Sequence, residues 1–299
     1  MKVDIIGVPI FYGADRYGVE KGPDTLRRAG VINLLREQHE VNDLGNVYIS
    51  DISDANKFDT NNRAKYLDAI VEANSNLAVI VKRSIRENHF PLIIGGDHSI
   101  AIGSIAGISS GCKEDLAVIW IDAHGDLNTV DTTESGNIHG MPLAASIGEG
   151  LPELKNILYK GIKVKRENIF LVGVRDLDKG EIEFIRNNNI NIWSALDVRE
   201  KGIANIVEQI NANLREREIN KVHVSFDIDS IDPHYMPGTG TAVENGITLD
   251  EARCLLGYIF ESSSVVSLDF VEFNPDLDIN NRTLKNCMTL IHSISNFLR

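Results

Sequence analysis

The chain has 299 residues, 43% of them hydrophobic, enough for one large core. Its 30 lysines and arginines against 43 aspartates and glutamates leave a formal net charge of −13, which argues against nucleic-acid phosphates or anionic lipid as the main partner and suits a small cation or a metal ion. No apolar run approaches the roughly 18 residues of a membrane span and MKVDIIGVPI lacks the features of a signal peptide, so a soluble, cytoplasmic protein is expected. Cys112, Cys254 and Cys287 show no CxxC spacing and read as reduced, buried small hydrophobes without a function.

Short apolar runs recur between helical patterns. In chain order they are KVDIIG (2–7), VYI (47–49), LII (92–94), AVIWI (117–121), IFLVG (169–173), INIW (190–193), VHVSF (222–226) and VVSLDF (265–270). Because the runs are apolar at consecutive rather than alternate positions, they read as strands covered on both faces, and hence as a parallel sheet. The segments between them carry helical spacing, as in Ile70, Ala73, Leu77, Val81 and Ile85, and again in Ile203, Ile206, Val207, Ile210 and Leu214. The expectation is a single α/β domain over 1–299, three-layered, with a central mostly parallel sheet of about eight strands and helices on both faces. Repeats, low-complexity tracts and proline-rich linkers are absent from the sequence. The least regular stretch, 129–150, is long for a connection, and such loops tend to carry function.

Open parallel sheets bind ligands beyond the carboxyl ends of their strands. The polar residues of this chain cluster there. Gly95, Gly96, Asp97 and His98 follow LII, Asp122, His124 and Asp126 follow AVIWI, and Asp227 and Asp229 follow VHVSF. Side chains two apart on extended backbone share a face, so Asp227 pairs with Asp229, and Asp122 aligns with His124 and Asp126 if the extension persists. Taken singly, the two later aspartates read equally as a solvated turn or a magnesium-nucleotide contact, and GGDHS as a turn capped by Ser99 or Asp97. Taken together, four aspartates at neighbouring strand ends need cations to remain ionised. With His98 and His124 they make six ligands, enough for a pair of divalent ions bridged by carboxylates. The oxygen-rich set favours manganese, with cobalt, iron and zinc left open. His139, in SGNIHGMP, is either a solvated loop residue or a proton shuttle. Glu272, after the last strand, is a candidate partner for a substrate cation.

In order and spacing, GGDHS, DAHGDLN and SFDIDSIDP resemble the three metal-binding signatures of the arginase and agmatinase (ureohydrolase) family. GVEKGPDTLR (18–27), VGVRDLDKGE (172–181), PGTGT (237–241) and VEFNP (271–275) extend the resemblance nearly end to end, and the loop NTVDTTESGNIHGMP (128–142) is similar to that of arginases rather than agmatinases. The resemblance implies two manganese ions per subunit. One would be held by His98, Asp122, Asp126 and Asp227, the other by His124, Asp122, Asp227 and Asp229. It further implies hydrolysis of L-arginine to L-ornithine and urea, with Asp126, His139 and Glu272 as catalytic residues and Glu272 on the guanidinium. Asn128, Thr133, Ser135 and Asn137 would lie near the substrate α-carboxylate and Asp178 near its α-ammonium, with Thr241 a further substrate-binding position. A homo-oligomer, trimer or hexamer, is the family's habit. Three features depart from the pattern: Val130, AVENG (242–246), and Glu134, an extra acid expected to face solvent. Two alternatives stay open: agmatine or another guanidino compound as substrate, and a metal-binding scaffold without turnover.

Overall fold

The computed structural model describes residues 1–112 and 114–298. Eight strands run through it: β1 (Lys2–Val8), β2 (Glu40–Asn46), β3 (Phe90–Gly95), β4 (Ala117–Ile121), β5 (Ile169–Val174), β6 (Asn191–Ser194), β7 (Val222–Asp227) and β8 (Val265–Val271). They form one sheet in the order β2-β1-β3-β8-β7-β4-β5-β6, with every pairing parallel. The chain builds outward from β1, jumps past two vacant places to lay down β4, β5 and β6, and returns to fill the gap with β7 and β8. The carboxyl ends of β3, β8, β7 and β4 therefore stand side by side although their sequence positions run from 95 to 271.

Each face of the sheet carries its own apolar core, as a parallel sheet requires. On one side lie α1 (Gly22–Arg28) and α2 (Val31–Arg36); on the other lie α3 (Leu67–Arg86) and α4 (Ala101–Cys112), with α5 (Pro142–Ser146), α6 (Pro152–Lys155) and α7 (Lys179–Asn188). The first side is completed by α8 (Ala195–Lys201), α9 (Ile203–Glu216), α10 (Leu249–Ser262) and α11 (Arg282–Ser295). Helical spacing is realised in α3, where Ile70, Ala73, Leu77 and Val81 are fully buried, and in α9, where Ile206, Val207, Ile210 and Leu214 face the core. Among the described residues no helix is long and apolar enough to cross a membrane.

Three expectations need correction. No strand lies at 47–49; the strand is β2, EVNDLGN, an edge strand paired only with β1, in which Val41 alone is buried. With only Val41 buried, β2 carries no continuous apolar run, so a search for such runs passes over it. The stretch 129–150 is not irregular throughout, since its second half folds into a 3-10 turn (Ile138–Gly140) and α5, both built on buried apolar side chains. Cys254 is exposed and only Cys287 is buried, with Cys112 in between.

The turn after β3 shows how tightly the edge is built. The Gly96 N–H donates to the Val8 carbonyl at 2.7 Å, and a Cβ on Gly96 would lie 1.8 Å from the Ile10 carbonyl oxygen. No side chain fits against backbone at that distance. Gly96→Ala is expected to cost on the order of 3 kcal/mol of stability. Thermal denaturation checks this, and an unchanged Tm would contradict the packing described.

Candidate metal centre and substrate cleft

The site begins where β3 stops. Asp97 does not enter it: its carboxylate accepts from the Ser99 N–H at 3.0 Å, capping the turn, and from the Gly13 N–H at 2.8 Å, pinning the 11–18 loop. His98 follows, 1% exposed. Its ring stacks on Trp120 with centroids 4.0 Å apart and planes 7° from parallel, and its Nε2 meets Ser225 Oγ at 2.8 Å. That leaves Nδ1 aimed at three carboxylates, 2.9 Å from Asp122, 3.3 Å from Asp126 and 3.2 Å from Asp227. The atom is buried and makes no well-formed hydrogen bond to any of them.

Asp122 leaves β4 into a turn held by its own carboxylate, which accepts from the His124 N–H at 2.7 Å and from Trp120 Nε1 at 3.0 Å. The strand does not stay extended as far as Asp126. That residue adopts the left-handed conformation, φ 51°, unusual outside glycine and asparagine, and this turn rather than strand alternation brings its carboxylate back to His98. Asp227 ends β7, and Asp229 sits in the following 3-10 turn, fixed by the Ala123 N–H at 3.2 Å and by the Thr241 hydroxyl at 2.8 Å. His124 Nδ1 lies 3.2 Å from both Asp122 and Asp229.

Two overlapping ligand sets result, His98 with Asp122 and Asp227, and His124 with Asp122 and Asp229, each with donor atoms within 4.8 Å of one another. Asp126 stands just outside them, beside His98. Burial, compounded by Asp122, pushes the Asp126 carboxyl well above the usual range, and burial with Asp229 does the same to Asp227. Burial opposes charge on His98, but Asp122 and the other carboxylates outweigh it and lift the imidazole to about 9. Without cations this cluster competes for protons. The unpartnered His98 nitrogen and the buried carboxylates of Asp122, Asp227 and Asp229 are chemically able to hold divalent metal.

Above the ligands opens a cleft walled by Asn128, Thr133, Ser135, Asn137, His139, Asp178 and Thr241, together with His98, His124, Asp126 and Asp227. Neither lysine nor arginine is among its lining residues. Asn128 is already engaged, donating from Nδ2 to Asp178 at 2.7 Å and accepting from Thr132. Thr241 touches a metal-ligand candidate, Asp229, as well as the cleft. Glu272 is not on the open wall. It lies 1% exposed beneath His98 and His139, in the left-handed conformation at φ 67°, accepting from the His98 N–H at 2.9 Å and meeting His139 Nδ1 at 3.3 Å. Burial disfavours charge on His139, but Glu272 and Asp97 outweigh it and raise its pKa. Glu134 is exposed and absent from the lining.

Several participants were not singled out from sequence. Trp120 and Ser225 orient His98 from the side facing away from the carboxylates, and Arg175 ties the carbonyls of Asp229 and Ser230 to that of Val243 in the AVENG segment. Asp176 lies 3.9 Å from His124 Nε2. Glu181 lines the cleft and accepts from the Leu127 and Asp178 N–H groups; its spacing after Asp178 is that of a helix capping box, a signal present in the sequence.

A family model described as the arginase family matches residues 1–295. The chain belongs to the arginase family. An arginase from Bacillus caldovelox is 43% identical over 293 residues, covering 98% of this chain and 97% of that one, and the native structure of the B. caldovelox enzyme aligns with a TM-score of 0.91 over 98% and 97% of the two chains at 42% identity. An arginase from Staphylococcus aureus strain MRSA252 is also 43% identical, over 97% of this chain and 95% of its own. Entamoeba histolytica arginase, solved in complex with L-ornithine, is similar at 33% identity with a TM-score of 0.89, covering 98% of each chain. Membership makes the chain a metal-dependent hydrolase of the guanidino carbon-nitrogen bond, acting on a small molecule.

The same proton affinities set a pH dependence. Glu181 is raised by burial to about 7, Asp97 by burial and Glu272 to about 6, and His98 stands at about 9. All three hold a proton more tightly folded than unfolded, so the folded state binds more protons between their ordinary values and these, and stability falls as pH rises through that window. Metal-free protein is therefore expected to lose thermal stability from pH 5 to pH 9, and divalent metal to remove the part of the loss carried by His98 by replacing its proton, leaving the part carried by Glu181 and Asp97. Melting curves with and without chelator check this; a metal-free Tm that rises with pH would contradict it.

Proposed function

We propose that the cleft hydrolyses L-arginine to L-ornithine and urea, an arginase reaction, with two manganese ions bound per chain. The observation that carries the reading is the pair of overlapping His/Asp sets at the floor of a cleft whose walls combine acidic side chains with the neutral donors Asn128, Thr133, Ser135 and Asn137. On this reading His98, Asp122, Asp126 and Asp227 hold one ion and His124, Asp122, Asp227 and Asp229 the other. Carboxylate-rich donors with one imidazole per ion favour manganese. When bound, the ions would supply Lewis-acid charge and lower the pKa of a coordinated water toward neutrality.

The chain's own residues do the rest. Asp126, which stands beside His98 and faces the cleft, carries the proton to the leaving amine. His139 bridges buried Glu272 and the cleft opening, so it exchanges protons with solvent. Glu272, desolvated beneath His98 and His139 with Oε1 engaged by both, is the carboxylate for a guanidinium that reaches past His139 to the base of the cleft. Hydroxyls and amides of Asn128, Thr133, Ser135 and Asn137 receive the α-carboxylate, while Asp178 receives the α-ammonium and is itself oriented by Asn128. Thr241 steadies Asp229 at the base of the same pocket. A decarboxylated substrate such as agmatine leaves those donors unpaired, which favours arginine. The reading also takes residues 1–299 as one catalytic domain, acting in the cytoplasm as a homo-oligomer, trimer or hexamer.

The test is urea release from manganese-loaded protein given L-arginine or agmatine, with bound metal measured in parallel. Arginine is expected to give the larger kcat/KM, and metal-replete protein that releases no urea from either overturns the reading. His139→Asn is expected to lower kcat by about 100-fold with metal content unchanged, the cost of a lost general acid-base group.

A further inference from the structure

The cleft presents a difficulty for a substrate with a carboxylate end. Its walls hold Asp126, Asp176, Asp178, Glu181 and Asp227 but neither lysine nor arginine, so an anion at the mouth meets acidic neighbours and neutral donors. A cation stands one hydrogen bond behind the wall. Lys65, its side chain only 15% exposed, extends from the segment before α3 and donates from Nζ to Asn137 Oδ1 at 2.7 Å. The Asn137 Nδ2 group donates to the Ala14 carbonyl at 3.0 Å. These two partners leave one orientation for the amide, because an ammonium must meet its oxygen and a carbonyl its nitrogen. The second N–H is what remains for Asn137 to offer the cleft it lines.

The brace extends beyond one bond. The Lys65 N–H donates to the Gly136 carbonyl at 3.0 Å, and at the exposed start of the loop Arg63 pairs with Asp131 at 3.5 Å, so residues 63–65 meet the loop at both of its ends. Gly136 is left-handed, φ 76°, and a Cβ there would lie 3.2 Å from the Arg63 carbonyl, which shows how closely the two segments approach. Lys65 does not have its carboxylate partner to itself: it shares Asp15 with Lys57, at 2.8 and 2.9 Å.

We propose that Lys65 is a specificity-determining positioning residue, holding Asn137 by its amide oxygen so that the free N–H, polarised by the ammonium, receives the carboxylate of an amino-acid substrate. The proposal rests on the arginine reading of the cleft. It assigns to a lysine outside the wall the cationic role that the wall lacks, and it keeps that cation from pairing directly with Asp178 or the metal ligands.

The comparison is between manganese-loaded wild type, Lys65→Met, Lys65→Arg and Lys57→Met, with steady-state kinetics on L-arginine and calorimetric binding of L-ornithine. Lys57 shares Asp15 but does not touch Asn137, so Lys57→Met controls for loss of the ion pair alone. Lys65→Met is expected to raise the KM for arginine and weaken ornithine binding by about tenfold, the scale of one charge-assisted hydrogen bond, with kcat changed less than twofold. Lys65→Arg is expected to recover at least part of the affinity, and Lys57→Met to stay within twofold of wild type. Should Lys65→Met fail to fold, Lys65→Arg and Lys65→Gln carry the comparison, graded by charge. The proposal is overturned if KM and ornithine affinity are unmoved by loss of the Lys65 charge, if kcat alone falls, or if Lys57→Met has the same effect. Wild type that binds ornithine but releases no urea overturns the proposed function instead, and leaves the role of Lys65 decided by ornithine binding alone.

Discussion

Four carboxylates converge at one edge of the sheet, and the rest of the architecture answers to their mutual repulsion. Two like charges 4 Å apart repel by about 4 kcal/mol at an effective dielectric of 20, and Asp122, Asp126, Asp227 and Asp229 are all within 6% of full burial. Protons or bound cations must occupy the gap. Burial keeps the four carboxylates from bulk solvent. The structure has invested backbone N–H donors in holding the carboxylates together, from Ala123, His124 and Asp229, and a left-handed residue at 126. Such an arrangement holds metal ligands in place before any metal arrives.

The topology explains why those ligands come from distant parts of the chain. Because β7 and β8 fill the gap between β3 and β4, the four loops that carry polar residues leave adjacent strands on the same edge. The same insertion changes the sheet interior. On the face shared with α4, β7 and β8 present His223, Ser225, Ser267 and Asp269 where the neighbouring strands present apolar side chains, all four without exposed surface. They bond to one another through a single Asp269 oxygen, Oδ2, while Oδ1 is buried without a partner: His223 meets Ser267 at 2.9 Å and Asp269 at 3.0 Å, Ser104 donates to Asp269 at 2.6 Å, and Ser225 reaches both Asp269 and His98. A buried carboxylate is tolerable only in such a network. Its consequence at the surface of the site is a fixed His98 ring, with one nitrogen occupied from below and the other facing the carboxylates.

What could be read in the sequence was whatever depends on local order. Strands covered on both faces announce themselves as continuous apolar runs, and seven of the eight were located within a residue or two; β2 was not, since Glu40–Asn46 is polar and its pairing with β1 is a tertiary fact. The six ligand candidates were legible because parallel sheets place function at strand ends, and the structure brings their atoms into one volume. The support behind them was not legible. Nothing in the sequence says that Trp120 stacks on His98, that Asp97 turns away to Gly13, or that Arg175 bridges two loops. The route of Asp126 was also hidden, because alternation on extended backbone and a left-handed turn lead to the same place by different geometry.

Charge acts at two ranges in this molecule. A net charge of −13 creates a field that draws a guanidinium toward the chain from beyond contact distance, and a cleft lined by carboxylates focuses it. That field opposes the other end of an amino acid. On the proposed reading, attraction for the whole substrate depends on where its charges fall, with the guanidinium deep among Glu272 and the ligands and the carboxylate outermost, where the negative field is screened by solvent. Neutral donors suffice at the rim only if something behind them polarises the loop in the opposite sense, and the Lys57, Lys65 and Asp15 group lies on that side of Asn137. A lysine exposed directly in the cleft would pair with Asp178 and weaken the site it was meant to serve. Placed behind an amide, the charge acts on the substrate without competing for the acids around it.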